Sequence, residues 1–307
     1  MSLRSPLTVV TSALTKLFPL SLAAPWDNVG LLIEPPSSHA PVPDGGTFGI
    51  LLTNDVTPLV LSDAMRAFSG GPPRLIVAYH PTPFGKMNRF TLDSPAARVV
   101  MECAAAGIAL YSPHTAWDAA PDGLNTWLIE GIAREAHAPL ASVAPVKRAA
   151  GPAGVAGAGD GRVGVFETHT TLAAVIDAVK AHLNISTVQV SLPTSLTNAT
   201  VSGPEAVVAA AETHGVSSIA VCAGSGAGVL GGFCGADVWV TGELSHHDVL
   251  AASAAGVAVI LTQHSRCERG FLAVIQERLG RALIDEGFTS EVFCKISRAD
   301  ADPLTTL

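Results

Sequence analysis

Charged residues are scarce in this chain, and those of positive sign are in the minority. Only 14% of the 307 residues are charged, and 18 Lys and Arg stand against 26 Asp and Glu, which gives a formal net charge of -8. Sequence-independent binding of nucleic acid needs an excess of Lys and Arg to displace counterions from phosphate. The charge balance therefore argues against a nucleic-acid-binding surface, and the basic residues form no run.

Cysteine is also rare, and its spacing suits neither disulfides nor a zinc site. The five cysteines are an odd number and contain no CxxC pair: Cys103, Cys222, Cys234, Cys267 and Cys294. A disulfide framework is therefore not expected, and a reducing compartment is the simpler interpretation. We expect a cytoplasmic protein.

Long uncharged apolar runs are missing too. No apolar segment free of charge reaches membrane-spanning length, so we expect no membrane association. The first 26 residues are apolar and lack acids, but Lys16 interrupts them. Val9, Val10, Leu14 and Leu17 have helical spacing, which predicts an amphipathic helix. A cleaved mitochondrial targeting peptide is the less favoured alternative for this stretch.

Aliphatic residues, in contrast, are abundant, because 48% of the chain is hydrophobic and only 5% of the residues are aromatic. Eight short apolar runs are candidate strands: 49–54, 74–79, 107–112, 161–166, 186–192, 218–223, 237–242 and 256–262. Between them lie seven candidate helices: 57–69, 94–106, 124–136, 171–183, 204–214, 245–255 and 268–286. This alternation predicts an α/β fold around mostly parallel or mixed sheets.

One stretch interrupts the alternation and divides the chain. Residues 149–161, AAGPAGVAGAGDG, are rich in Gly and Ala and show no periodicity, which is typical of a linker. We therefore predict two similar α/β lobes with mixed sheets, residues 1–148 and 162–307.

The two predicted lobes share a sequence pattern that ends in possible ligands. AGIALYSPHTAWD covers 106–118 and AGVAVILTQHSRCE covers 255–268. Each has Ala-Gly, a strand, a polar break, and then a His followed four residues later by an acid, as in His114 and Asp118 or His264 and Glu268. Residues four apart on a helix share a face, so each pair can reach one ion.

Other histidines follow the strands upstream of these repeats. His80 closes RLIVAYH, and His246 and His247 follow DVWVTGELS. Imidazole and carboxylate are the expected ligands of zinc, iron or manganese, and in α/β sheets ligands collect at the carboxyl ends of strands. A packed or surface side chain is the alternative for any single histidine.

Two further segments have weaker signals. Gly224, Ser225 and Gly226 in CAGSGAG could cradle a phosphate with backbone N–H groups, although glycine-rich turns of this kind are common. Asp27 and Asn28 either cap a turn or face the site. There is no P-loop and no G-x-S-x-G elbow, which argues against the enzyme classes that use them.

Taken together, the motifs resemble the NIF-three-like family, whose bacterial members are often named GTP cyclohydrolase 1 type 2 homologues. The matching stretches occur in the family's order from about residue 7 to the end: PWDNVGLLIE, LTNDVT, AYHPTPF, YSPHTAWDAAPDGLN, GRVGVF, CAGSG, VTGELSHHD and QHSRCERGFL. The sequence YSPHTAWDAAPDG resembles that of the eukaryotic NIF-three-like branch in particular.

This resemblance implies a dinuclear metal centre between two α/β lobes, in proteins that often form hexameric rings. One ion would be held by His80, Asp118 and Glu268. The second would be held by His264, the shared Glu268 and the position of Tyr79, where the family has a histidine. Because the unperturbed pKa of a phenol is near 10, we expect one tight ion and a weaker second ion per chain.

The resemblance also suggests roles for His114, His246 and His247. They match family positions at which a side chain would orient ligands or act as a general acid or base. The implied function is a metal-dependent hydrolase, cyclohydrolase-like, that acts on a small phosphorylated or nucleotide-like substrate. The alternative is a non-enzymatic metal-binding protein that regulates or binds other proteins, and a purely structural metal ion is a third possibility.

Overall fold

The computed structural model describes residues 5–36, 47–148, 155–196, 203–288 and 291–306. Within them ten α-helices occur: α1 (Pro6–Leu17), α2 (Pro58–Ala64), α3 (Pro95–Ala106), α4 (Thr115–Ala119), α5 (Leu124–Glu135), α6 (Leu172–Leu183), α7 (Pro204–Thr213), α8 (Ala227–Leu230), α9 (His246–Ala254) and α10 (Phe271–Asp285). The helices alternate with strands, as expected for an α/β protein.

The same residues contain thirteen strands: β1 (Gly30–Ile33), β2 (Thr47–Thr53), β3 (Leu75–Ala78), β4 (Ala109–Ser112), β5 (Leu140–Ala144), β6 (Lys147–Arg148), β7 (Gly159–Asp160), β8 (Arg162–Thr171), β9 (Gln189–Ser191), β10 (Gly215–Ser225), β11 (Val238–Glu243), β12 (Ala258–Leu261) and β13 (Glu291–Ile296). All eight predicted strands and all seven predicted helices are present. The predicted α/β class with mixed sheets is confirmed.

The chain forms two compact units. Unit 1 consists of Met1–Trp117 and Phe271–Pro303, and unit 2 consists of Asp118–Gly270 and Leu304–Leu307. The predicted lobes are continuous stretches, whereas unit 1 also includes α10 and β13 from the end of the chain. The linker at 149–161 stays a prediction, because residues 149–154 lie outside the described residues, while Gly159–Asp160 within it form β7.

Unit 1 is built on a five-stranded sheet with the order β1-β4-β3-β2-β13. Strands β4, β3, β2 and β13 are parallel to one another, and β1 pairs antiparallel with β4. All four residues of β3 are buried, which explains the unbroken apolar run in this part of the sequence. Phe18, Trp117 and Phe271 pack with ring centroids 5.6–6.1 Å apart, and this cluster joins α10 to the start of the chain.

Unit 2 is built on a six-stranded sheet with the order β5-β8-β10-β11-β12-β9. Its central strands β10, β11 and β12 are parallel, while β8 and β9 pair antiparallel with β10 and β12. The short strands β6 and β7 form a separate antiparallel pair.

Several helix ends follow directly from the local sequence. The side chains of Ser5, Thr57 and Ser94 accept N-terminal backbone N–H groups of α1, α2 and α3, and each cap is followed by proline at the first turn. Helix α3 ends at Gly107 with φ 72°, a left-handed conformation that glycine adopts easily. In the part of the chain that the structure describes, no helix is long and apolar enough to cross a membrane.

Candidate metal centre

Three polar side chains of unit 1, only one of them a predicted ligand, follow parallel strands that end at the same edge of the sheet. Strands β2 and β3 are paired, as are β3 and β4. Asp55, His80 and His114 each come two residues after the end of β2, β3 and β4, respectively. Since the carboxyl ends of parallel strands meet at one edge, three polar side chains collect there.

His80 is oriented by an acid that the sequence did not single out. Its Nδ1 lies 2.9 Å from Oδ1 of Asp55. An ionised carboxylate only accepts hydrogen bonds, so this contact places the ring proton on Nδ1 and leaves the lone pair on Nε2. Asp55 belongs to the quoted LTNDVT motif, but an acid in a loop has no distinctive spacing by itself.

His114 is held in the same way by Asp27. Its Nδ1 lies 2.7 Å from Oδ1 of Asp27. The side chain of Asp27 is completely buried, and its Oδ2 accepts hydrogen bonds from the backbone N–H and the hydroxyl of Thr115. Burial raises the pKa of Asp27, but the hydrogen bonds from His114 and Thr115 outweigh it and hold that pKa below its usual value. Asp27 shows features of both predicted alternatives, because it contacts His114 and its Oδ1 also accepts the N–H of Asn28 at 2.8 Å.

The buried ring of Tyr79 packs against His80, His114 and Trp117. Its side chain is buried, its ring centroid is 4.9 Å from that of His80 and 5.4 Å from that of His114, and it stacks on Trp117 at 6.0 Å and 25°. These contacts give Tyr79 a structural role. A role for Tyr79 as a metal ligand stays a prediction.

The predicted ligands of unit 2 also follow parallel strands. Strand β11 ends at Glu243, and His264 follows β12. Nδ1 of His264 lies 3.0 Å from Oε1 of Glu243, and Nε2 lies 3.4 Å from Oε1 of Glu268. The imidazole is thus held between two carboxylates, of which Glu243 was not predicted.

The predicted helix over 268–286 begins later than expected, which changes how His264 and Glu268 meet. Residues Ser265–Cys267 form a 3₁₀ turn, with His264 before it and Glu268 after it, and α10 starts only at Phe271. The two side chains therefore meet across a tighter turn rather than along an α-helix. The predicted helical face is therefore absent, although Nε2 of His264 and Oε1 of Glu268 still lie 3.4 Å apart.

Gly224 makes room for the Glu268 carboxylate. A Cβ atom at this position would lie 2.5 Å from Oε1 of Glu268 and 3.1 Å from Nε2 of His264, and its φ of 65° is left-handed. A Cβ at Gly242 would likewise lie 2.7 Å from Cα of His264. Both glycines belong to quoted motifs, and their lack of a side chain determines the position of the acid and the histidine.

The predicted phosphate cradle has fewer available donors than its sequence suggests. The N–H of Gly224 donates to Sγ of Cys267 at 3.2 Å, and the N–H of Gly226 donates to the carbonyl of Glu243 at 3.2 Å. Phosphate binding by Gly224, Ser225 and Gly226 stays a prediction. Cys267 is buried, and burial raises the pKa of its thiol to about 12, so it is a neutral packing partner of the loop.

Asp118 is held through its backbone. Its carbonyl accepts a hydrogen bond from Nδ2 of Asn125 at 3.2 Å, and Oδ1 of Asn125 accepts the N–H of Ala223 at 2.8 Å. Asn125 therefore ties the segment that carries Asp118 to strand β10.

A buried guanidinium fixes the residues that follow Asp118. Arg162 is 2% exposed and donates to the carbonyls of Ala120, Gly159 and Gly161 and to the hydroxyl of Thr126. Burial lowers the pKa of Arg162, and the negative charges of Asp160, Asp118 and Asp122 oppose this effect. The arginine thus places positive charge near Asp118.

His246 and His247 are the first two residues of α9, after the N-cap Ser245. Both are exposed, and their ring centroids are 5.5 Å apart. Their predicted roles as general acid or base stay predictions.

Three of the predicted ligands form a chemically suitable set. His80, His264 and Glu268 make up a group of side chains that could hold a metal ion. Within the described part of the chain this set does not include Asp118, whose role as a ligand stays a prediction.

The family is decided by the sequence pattern as a whole. The pattern of the family described as Duf34/NIF3 (NGG1p interacting factor 3) matches residues 6–303. The chain belongs to this family. The resemblance that its motifs indicated is thereby confirmed.

Relatives within the Duf34/NIF3 family cover almost the whole chain. The chain is 39% identical to a Schizosaccharomyces pombe protein named "Protein NIF3 homolog", covering 93% of this chain and 92% of that one. It is 34% identical to the "NGG1-interacting factor 3" of Saccharomyces cerevisiae, covering 98% and 97%. A Bacillus cereus protein described as related to NIF3 has the same fold, with a TM-score of 0.74, 18% identity and coverage of 97% and 98%.

Proposed function

We propose that this protein binds a divalent metal ion, namely zinc, iron or manganese, through His80, Asp118, His264 and Glu268. We further propose that it hydrolyses a small phosphorylated or nucleotide-like substrate. His264 and Glu268 belong to unit 2, and His80 belongs to unit 1, so both units would contribute ligands. A second, weaker ion would involve Tyr79.

The observation that carries the proposal is the repeated pairing of histidine with carboxylate. Nδ1 of His80, His114 and His264 lies 2.7–3.0 Å from a carboxylate oxygen in each case. Histidines that bind metals usually donate their other ring N–H to such a partner, which fixes the tautomer and makes the ligand nitrogen more basic. A surface histidine has no need of such a partner, so the pairs at His80 and His264 support a metal site, and the pair at His114 supports a role in proton transfer beside it.

The buried acid fits the same interpretation. The side chain of Glu268 is 2% exposed, and buried charges in proteins are paired or coordinate metals. The space for this carboxylate exists only because residue 224 is a glycine. Imidazole nitrogen and carboxylate oxygen are the donors expected for zinc, iron or manganese.

A bound divalent ion would polarise a substrate oxygen and lower the pKa of water. The chain's own part in hydrolysis would be to hold and move protons. His114 is the best-placed candidate, because Asp27 holds its Nδ1–H and leaves Nε2 to accept or donate a proton. His246 and His247 are further candidates at the start of α9.

The test combines metal analysis with turnover. Protein purified without oxygen is analysed for bound elements and then incubated with a panel of nucleotides and phosphate esters, with and without chelator. We expect metal-dependent turnover of at least one compound. Glu268→Gln should abolish both metal binding and turnover, because it keeps the size of the side chain and removes the charge.

The matched control is Glu277→Gln, which makes the same substitution at an exposed position of α10. This variant should keep metal and activity. Turnover that persists in metal-free protein would contradict the hydrolase mechanism, and metal retention in Glu268→Gln would contradict the ligand assignment.

A second candidate is a non-enzymatic metal-binding protein that regulates or binds other proteins. One observation favours it, namely the name of the yeast relative, an NGG1-interacting factor. In that case the panel would show no turnover, while Glu268→Gln would lose metal and the binding of a partner together. Assembly into a homo-oligomer, by family resemblance a hexamer, suits both candidates.

A further inference from the structure

Two large aromatic side chains are exposed beside His114. Trp26 is 66% exposed and Phe84 is 61% exposed. Their ring centroids are 6.2 Å apart, and they lie 6.1 Å and 5.7 Å from the His114 ring, each meeting it edge to face at 77°. We call this pair of rings, Trp26 and Phe84, the aromatic platform.

Polar contacts of neighbouring residues hold the backbone on either side of the aromatic platform. Nδ2 of Asn28 donates to the carbonyl of Pro83 at 2.8 Å, which ties the residues next to Trp26 to those next to Phe84. Asp27, which follows Trp26, is held by His114 and Thr115. The rings are thus exposed but anchored, which is typical of a preorganised binding surface.

We propose that the aromatic platform stacks against a planar heteroaromatic ring, such as a nucleobase or a pyridine, of the substrate. This inference rests on the proposed function, because it assigns a substrate class to the site that includes His114. A ring stacked there would place its substituents within reach of His114. Aromatic faces bind such rings with little dependence on their hydrogen-bonding edges.

The size of the platform favours a small molecule over a protein. Two aromatic side chains can bury at most about 500 Å² between them. A stable protein interface needs about 800 Å² from each partner. The platform is therefore large enough to cover a base, while a second protein chain would need much more surface.

The test compares probes that differ only in the presence of the ring. The dissociation constants of GMP, AMP and nicotinamide mononucleotide are measured by calorimetry against that of ribose 5-phosphate. We expect at least one ring-bearing probe to bind about tenfold more tightly than ribose 5-phosphate, since stacking on an aromatic side chain has an effect of about this size. Trp26→Ala and Phe84→Ala should each remove most of that preference, and Trp26→Phe should keep it.

Phe90 provides the matched control. It is 51% exposed and follows Phe84 by six residues, and its ring makes no contact with His114 among the described residues. Phe90→Ala should therefore keep the preference. Trp26 is also the one exposed tryptophan of the four in the chain, so its fluorescence should be quenched by a stacking probe and not by ribose 5-phosphate.

Metal content is measured on the same samples to separate the two proposals. Metal-loaded protein that binds all four probes equally would overturn the aromatic platform and leave the metal site standing. Protein that takes up no metal on titration but still prefers ring-bearing probes would support the platform and contradict the metal site. A change in oligomer size in Trp26→Ala with an unaltered probe preference would overturn the platform, because the rings would then belong to an interface between copies.

Discussion

The two units of this protein prepare their histidines by different physical means. In unit 1, the rings of His80 and His114 contact the buried ring of Tyr79, which stacks on Trp117. In unit 2, His264 lies where side chains are missing, at Gly224 and Gly242. Both units use a carboxylate on Nδ1. A similar histidine–carboxylate geometry is therefore set by filling space in one unit and by leaving it empty in the other.

The largest effect is expected from filling the empty space of unit 2. Gly224→Ala would place a Cβ 2.5 Å from the Glu268 carboxylate at a left-handed φ of 65°. We expect metal binding to be lost and the free energy of unfolding to fall by about 3 kcal/mol, since overpacking and an unfavourable φ both contribute. Urea denaturation in the presence of chelator measures the stability, and elemental analysis measures the metal.

The control for this prediction is Gly228→Ala, because a Cβ there would meet nothing within 4 Å. This variant should retain metal and stability. Equal behaviour of the two variants would show that the space at Gly224 is not what positions Glu268.

The sequence alone predicted the fold class and singled out His80, His264 and Glu268, the group that could hold a metal ion. Buried strands such as β3 and β12 are short unbroken apolar runs, and histidines directly after them stand out. Five strands were missed, namely β1, β5, β6, β7 and β13. Of these, β5 and β13 have mostly exposed or half-exposed residues, so no apolar run marks them. The place of α10 in unit 1 depends on contacts of Phe271 with residues more than 150 positions away, which no local pattern records.

The acids that orient the histidines were harder to predict than the histidines. Asp55 and Glu243 are 25 and 21 residues from their partners His80 and His264. Glu243 is the last residue of β11 and Asp55 comes two residues after β2, and strand ends are also where an ordinary solvated acid occurs. Only the order of neighbouring strands brings each acid to its imidazole.

The next largest effect concerns the polar support of unit 1. Asp27→Asn should lower the free energy of unfolding by about 2 kcal/mol at pH 7, because charge-assisted hydrogen bonds from His114 and Thr115 are weakened. The folded-state pKa of Asp27 is lowered, so its contribution is present above its unfolded pKa and is lost as pH falls through the lower folded value. The difference between wild type and Asp27→Asn, measured by urea denaturation from pH 7 down to pH 3, should therefore shrink in acid. A constant difference would contradict this assignment.

The smallest effect compares the two orienting carboxylates directly. Asp55→Asn in unit 1 and Glu243→Gln in unit 2 should each weaken metal binding by about tenfold, as is usual for partners of ligand histidines. Competition titrations with a metal-sensitive chelator dye measure the affinity. Glu212→Gln, an exposed acid of α7, serves as the control and should have no effect. A loss in only one of the two variants would show that the units do not contribute equally.

The number of tightly held ions per chain in single-histidine variants tests directly whether both units donate ligands to one metal ion. Equilibrium dialysis against buffered zinc and manganese gives this number for the wild type, His80→Ala, His264→Ala and the exposed control His169→Ala. Ligands donated by both units predict one tight ion in the wild type and in His169→Ala, and none in His80→Ala or His264→Ala. A full complement of metal in His80→Ala would contradict the claim, because the ion would then be held by unit 2 alone.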